Sequence, residues 1–126
     1  MYTVSVYQFF SAAHYLREYK GKCENLHGHN WKVTVSVAGD TLDAAGLLVD
    51  FGIIKKNLSE ILAGLDHKVI NDDVDFFRTN NPSAENIARY VFDRMKKSLS
   101  PPFRTTAVVK SVTVDETETS SCRYEE

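Results

Sequence analysis

The stretch CENLHGHN, residues 23–30, sets a thiol, Cys23, four positions ahead of His27, with His29 two further on. The rest of the chain holds one more cysteine, Cys122, and two more histidines, His14 and His67. Imidazoles at i and i+2 project to the same side of an extended chain, because successive strand side chains alternate. His14 falls in phase with Val4, Val6, Phe10 and Ala12 of the N-terminal segment, so three imidazoles are expected to face one interior. Three neutral imidazoles favour zinc, and a site with three protein ligands leaves a position for water or substrate. Two other readings stay open at this point. Each histidine could be a hydrogen-bonded core or surface residue, or Cys23 could close the tetrahedron as a fourth ligand and make the zinc structural.

Cys23 could instead act as a base beside the metal, which requires a depressed pKa or a partner that takes its proton. The run LDHK offers such partners in Asp66 and His67. A carboxylate bonded to one ring nitrogen fixes the tautomer and leaves the other nitrogen free to exchange a proton. His67 could equally be a cation at a helix C-terminus. Glu116 lies in the acidic run DETE but shares parity with Val112 and Val114, so it is expected to end a buried face. A carboxylate there would accept from paired amino and ring N–H groups such as those of a pterin or guanine.

Strands, helices and the loops between them must position these groups. WKVTVSV alternates strictly, with Trp31, Val33, Val35 and Val37 on one face, and predicts a half-buried strand that continues back through His29 and His27. The N-terminal segment predicts a second strand, with Gln8 as the exception on its apolar face. From Asp50, the expected cap, the period becomes helical through Ile54, Leu58, Ile61, Leu62 and Leu65. A second helix is expected after Ser83, with Glu85 in its first turn, an apolar face of Ala88, Val91, Phe92, Met95 and Leu99, and SPP as its stop. TTAVVKSVTVDE and SCRYE read as two further strands. The order ββααββ predicts an α+β fold with helices on one face of an antiparallel sheet. The segments LREYKGKCEN and HKVINDDVDFFRTNNPS are expected to be long loops, a common location of function.

A length of 126 residues fits one domain spanning 1–126. Hydrophobic residues at 43% and charged residues at 25% match soluble globular proteins. No apolar run is long enough to cross a bilayer and no export signal is evident, so a cytoplasmic protein with reduced thiols and no membrane partner is expected. With a net charge of −2 and basic residues scattered singly, no stripe exists to neutralise a phosphate backbone, which argues against nucleic acid.

The blocks FFSAAHYL, CENLHGHNW, VDFGIIKK, LDHKVIN, NPSAENIA and VDETETSSCRY resemble, in order, those of the pyruvoyltetrahydropterin synthase superfamily. The Cys-x-x-x-His-Gly-His spacing is similar to the carboxytetrahydropterin synthase branch in queuosine (7-deazaguanine) biosynthesis. The resemblance implies a tunnelling fold, or T-fold: a four-stranded antiparallel sheet with two helices on one face, assembling as a homo-oligomer (trimer or dimer of trimers) with active sites between subunits. It implies His14, His27 and His29 as zinc ligands, Cys23, Asp66 and His67 as catalytic residues, and Glu116 as the anchor of the pterin ring. Ser83 and Ala84 match a substrate-binding block in which relatives more often carry Ser or Thr where this chain has Ala84. The implied reaction converts 7,8-dihydroneopterin triphosphate to 6-carboxy-5,6,7,8-tetrahydropterin, acetaldehyde and triphosphate. Its alternatives are a 6-pyruvoyltetrahydropterin synthase, a dihydroneopterin aldolase-type activity, and a non-catalytic zinc module.

Overall fold

The alternating N-terminal segment forms strand β1, Tyr2–His14, which pairs antiparallel along its whole length with β2, His27–Gly39. The register runs from Tyr2 opposite Gly39 to His14 opposite His27. A computed structural model describes residues 1–19, 21, 25–99 and 106–126. Cys23 and the Ser100–Pro102 run expected to stop the second helix lie outside the described residues. Strands β3, Val108–Thr117, and β4, Ser120–Glu125, complete a four-stranded antiparallel sheet in the order β1-β2-β3-β4.

Between β2 and β3 lie two long helices, α1 at Phe51–Ala63 and α4 at Ala84–Ser98, and two short ones, α2 at Ile70–Asp73 and α3 at Asp75–Thr79. The Asp50 side chain caps α1 by accepting from the Gly52 N–H at 2.7 Å, and Ser83 caps α4 by accepting from the Asn86 N–H at 3.2 Å. Each satisfies one of the donors that a helix start leaves without an intrahelical partner. The segment after His67, expected as a loop, instead contains α2 and α3. Ile70, Val74 and Phe77, spaced i, i+4 and i+7, drive this by burying their side chains.

Helix α1 packs on β1 and α4 on β3 and β4, all on the face that carries Trp31, Val33, Val35, Val112 and Val114. All five of those side chains are fully buried, and each contributes roughly 1.5–3 kcal/mol by leaving water. Gln8 shares this inward phase and is accommodated by polar contacts with α1. Its amide donates to the Lys55 carbonyl at 3.1 Å and accepts from the Ser59 hydroxyl at 2.9 Å. On the opposite face Tyr7 and Phe9 stay exposed, with Lys32 Nζ 4.2 Å from the Tyr7 ring centroid.

Candidate metal centre and its surroundings

Full pairing of β1 with β2 places His14 directly across from His27 and brings His29 beside them on the inward face. Trp31, fully buried, forms the floor. Its ring lies edge-on to His14 at 4.8 Å and to His29 at 5.2 Å, and its Nε1–H donates to the Ala12 carbonyl at 3.2 Å. The third strand supplies Glu116. Asp115 pairs with Ser121 and Thr117 with Ser120, so Glu116 is the extra residue of a β-bulge. A bulge re-aims the side chain it carries. Here the carboxylate turns to the imidazoles, with Oε1 3.1 Å from His14 Nε2 and 3.4 Å from His29 Nε2.

The hydrogen bonds at the outer ring nitrogens determine what the inner ones present. His14 Nδ1 lies 2.7 Å from the Pro82 carbonyl and His27 Nδ1 lies 2.7 Å from the Asn25 carbonyl. A carbonyl only accepts, so each Nδ1 carries the proton, and a neutral imidazole has just one. Both Nε2 atoms therefore expose lone pairs, and they face one another at 3.0 Å. His29 Nε2 is buried with no hydrogen-bond partner. Burial pushes His14 and His29 below the ordinary imidazole value, an effect the Glu116 carboxylate partly opposes. One ligand atom from each of His14, His27, His29 and Glu116 lies within 4.8 Å of the others.

Two imidazole acceptors, a third buried imidazole nitrogen without a hydrogen-bond partner and a carboxylate oxygen thus converge, an arrangement that a shared cation would satisfy. The donor set fits a transition metal of the zinc type, which takes imidazole nitrogens and carboxylate oxygen at about 2.0–2.2 Å in a tetrahedron. Orientation of a ligating imidazole through a bond from its other nitrogen to a carbonyl is the usual outer support of such sites. Of the sequence-derived residues, the three histidines and Glu116 are thus brought together. Glu116 keeps the inward parity of Val112 and Val114 that alternation predicts; the bulge at its position was not evident from that pattern.

Two cavities meet at Glu116. One of about 220 Å³ is lined by His14, Ser83, Ala84, Glu85, Ser120 and Ser121 as well as Glu116. The other, open and about 700 Å³, is lined by Phe9, Gly28, His29, Asn30, Thr117 and Glu118 together with Glu116. Ser83 and Ala84 therefore adjoin the histidine cluster, and Glu85, Ser120 and Ser121 are further lining residues that motif reading did not single out.

Asp66 and His67 form a second constellation, on the free edge of β1. His67 Nδ1 lies 2.9 Å from Asp66 Oδ2. Asp66 Oδ1 accepts from the Ser11 N–H at 2.9 Å, and His67 N–H donates to the Ser11 carbonyl at 2.6 Å. The Ser11 N–H, then the His67 ring, hold the Asp66 carboxyl below its usual range. His67 adopts φ +57°, a left-handed conformation costing a bulky residue about 1–3 kcal/mol; the bonds to Ser11 hold it there. The His67 side chain is 81% exposed. Ser11 and His14 are three residues apart, so the pair sits roughly 10 Å along the strand from His14.

A four-stranded antiparallel sheet covered by helices on one face, with three imidazoles converging at one end, defines an α+β protein of the T-fold class. The sequence profile of the 6-pyruvoyl tetrahydropterin synthase family matches residues 3–126, and the chain belongs to that family. It is 37% identical over 118 residues to the 6-carboxy-5,6,7,8-tetrahydropterin synthase of Bacillus subtilis, covering 90% of this chain and 78% of the relative. It is 32% identical over 152 residues to the protein of that name from Haemophilus influenzae, covering all of both chains. Among solved structures, that of Caenorhabditis elegans 6-pyruvoyl tetrahydropterin synthase superimposes with a TM-score of 0.88 at 33% identity, covering 99% of this chain and 95% of that one.

Proposed function

We propose that the chain, a single domain, is a zinc-dependent tetrahydropterin synthase that converts 7,8-dihydroneopterin triphosphate to 6-carboxy-5,6,7,8-tetrahydropterin with release of acetaldehyde and triphosphate. The observation that carries this reading is the convergence of three imidazole Nε2 atoms, two of them held as acceptors by carbonyls behind them. Family membership supports pterin chemistry at that centre. The Cys-x-x-x-His-Gly-His spacing and the names of the Bacillus and Haemophilus relatives favour the carboxy product, and with it a place in queuosine biosynthesis in the cytoplasm.

His14, His27 and His29 would hold the zinc, which when bound supplies a Lewis acid for hydroxyl oxygens of the substrate side chain. Glu116 lines both cavities and accepts ring N–H donors when its carboxylate turns from the imidazoles. The smaller cavity, below the 300–1,000 Å³ typical of whole-ligand pockets, suits the ring alone, with Ser83, Ala84 and Glu85 at its wall. Cys23, as a thiolate, takes a proton from the side chain, and His67, oriented by Asp66, exchanges one from Nε2. The exposure of His67 and its distance from His14 in one chain support service of that pair to the centre of a neighbouring copy, in a trimer or dimer of trimers.

Incubation of the purified protein with 7,8-dihydroneopterin triphosphate, with every product identified by mass, tests the reading. Acetaldehyde and the carboxy product are expected. A pyruvoyl product would place the chain in the sister branch, glycolaldehyde with a hydroxymethyl product would indicate aldolase activity, and no turnover would leave a zinc module. Cys23→Ala is expected to retain one zinc per chain and the parent melting temperature while losing turnover by orders of magnitude. Joint loss of metal and fold would make the thiol a structural ligand.

A further inference from the structure

The free edge of β1 is tied down at every second residue by the segment that runs from Asp66 to Pro82. Ser11 exchanges bonds with Asp66 and His67, and Ala13 N–H donates to the Lys68 carbonyl at 3.0 Å. Beyond the end of the strand the same alternation continues with side chains in place of a neighbouring backbone. Tyr15 N–H donates to Asn71 Oδ1 and Asn71 Nδ2 donates to the Tyr15 carbonyl, both at 2.9 Å. Arg17 N–H donates to Asn81 Oδ1 at 2.9 Å, and Asn81 Nδ2 donates to the Arg17 carbonyl at 2.8 Å.

A carboxamide carries one acceptor and one donor group in a plane, which lets it replace the paired backbone bonds of an adjacent strand. Asn71 is 1% exposed, so its donor and acceptor have no water to turn to. The Arg17 guanidinium closes the arrangement by donating to the Phe77 carbonyl at 2.9 Å and the Asn71 carbonyl at 3.3 Å, and Asn86 Nδ2 donates to the Asn81 carbonyl at 2.8 Å. The residue after Asn81 is Pro82, whose carbonyl accepts a hydrogen bond from His14 Nδ1–H.

We infer that Asn71 and Asn81 are positioning residues for the metal centre: their carboxamides splint residues 15–17 to the 66–82 segment, and so hold the Pro82 carbonyl on His14 Nδ1 and keep Nε2 as the ligating nitrogen. The inference rests on the metal-site reading proposed above and extends it to residues that touch neither metal nor substrate. The same splint keeps Asp66 and His67 in register with Ser11, so one edge of β1 aligns both constellations.

The test compares the full-length parent with Asn71→Asp and Asn81→Asp, which keep the acceptor oxygen but set a carboxylate oxygen against the Tyr15 or Arg17 carbonyl. Zinc dissociation constants are measured by chelator competition, and the visible spectrum is recorded after cobalt loading. Leu62→Ala, in the core of α1, serves as a comparably destabilised control. Both Asn variants are expected to bind zinc roughly tenfold more weakly with an altered cobalt spectrum, while Leu62→Ala lowers the melting temperature with zinc affinity within twofold of the parent. Should an Asp variant fail to fold, Asn86→Ala, which removes only the bond to the Asn81 carbonyl, is expected to weaken zinc binding in the same direction. Variants that melt early yet keep parental zinc affinity and cobalt spectrum overturn the inference alone. A parent that binds neither metal overturns the metal reading and this inference with it.

Discussion

Replacing His27 by Ala separates a metal centre from a hydrogen-bonded histidine cluster by the sign of its effect on stability. In the metal-free chain the substitution loses the His27 Nδ1 bond to the Asn25 carbonyl, which is partly exposed and contributes about 1 kcal/mol. It also removes one of two lone pairs that face each other at 3.0 Å, which acts in the opposite direction. The net change is expected to be within about 1 kcal/mol of zero. With zinc at a thousand times its dissociation constant, the parent gains about 4.1 kcal/mol by mass action. Unfolding entropy scales at about 2.1 cal/mol/K per residue, so for 126 residues that gain raises the melting temperature by about 15 °C. Calorimetry of parent and variant, each in chelator and in excess zinc, should therefore show near-equal melting without metal and a separation of about 15 °C with it. Equal zinc-induced shifts in both proteins would refute the three-imidazole site. A metal-free variant that melts far below the parent would show that the imidazoles bond to each other.

Other perturbations read other parts of the structure. In chelator, His14 and His29 have folded pKa values below the unfolded value of 6.5, so below pH 6.5 the unfolded chain binds more protons and stability falls with acidification. The slope is at most about 1.4 kcal/mol per pH unit per imidazole, and denaturant titrations that are flat from pH 6.5 to 5 would contradict it. Asp66 is also lowered but acts only in a separate window, as pH falls below 3.8. Asp66→Asn should cut turnover by roughly 10²-fold or more while zinc content stays at the parent level; unchanged turnover would remove the Asp66–His67 pair from the chemistry. Trp31→Phe removes the indole N–H from the Ala12 carbonyl, at about 1 kcal/mol or about 4 °C in melting temperature, and should weaken zinc binding because the floor under His14 and His29 loosens. A thermal shift under 2 °C would show that this bond contributes little.

Much of the scaffold was legible because the relevant interactions are local. Alternation through Val4, Val6, Phe10, Ala12 and His14, continued through His27, His29 and Trp31, predicted that three imidazoles would share a buried face, and Asp50 and Ser83 cap the helices expected of them. The short helices α2 and α3 were missed although Ile70, Val74 and Phe77 carry a helical spacing. Each spans five residues or fewer, so burial of Ile70, Val74 and Phe77 in the core, not local propensity, stabilises them.

What the sequence by itself determined is which groups are available and on which face of an element each lies, since both follow from residue type and the strand and helix periods. Tertiary structure alone decided how they meet. Pairing of β3 with β2 set the inward-facing Glu116 beside the imidazoles, and carbonyls from Pro82 and Asn25 selected the ring nitrogens that face inward. Asn71 and Asn81 hold a chain segment more than fifty residues away in sequence. Contacts of that separation depend on register and on which backbone groups the sheet leaves unpaired, and neither is encoded in any one stretch of residues.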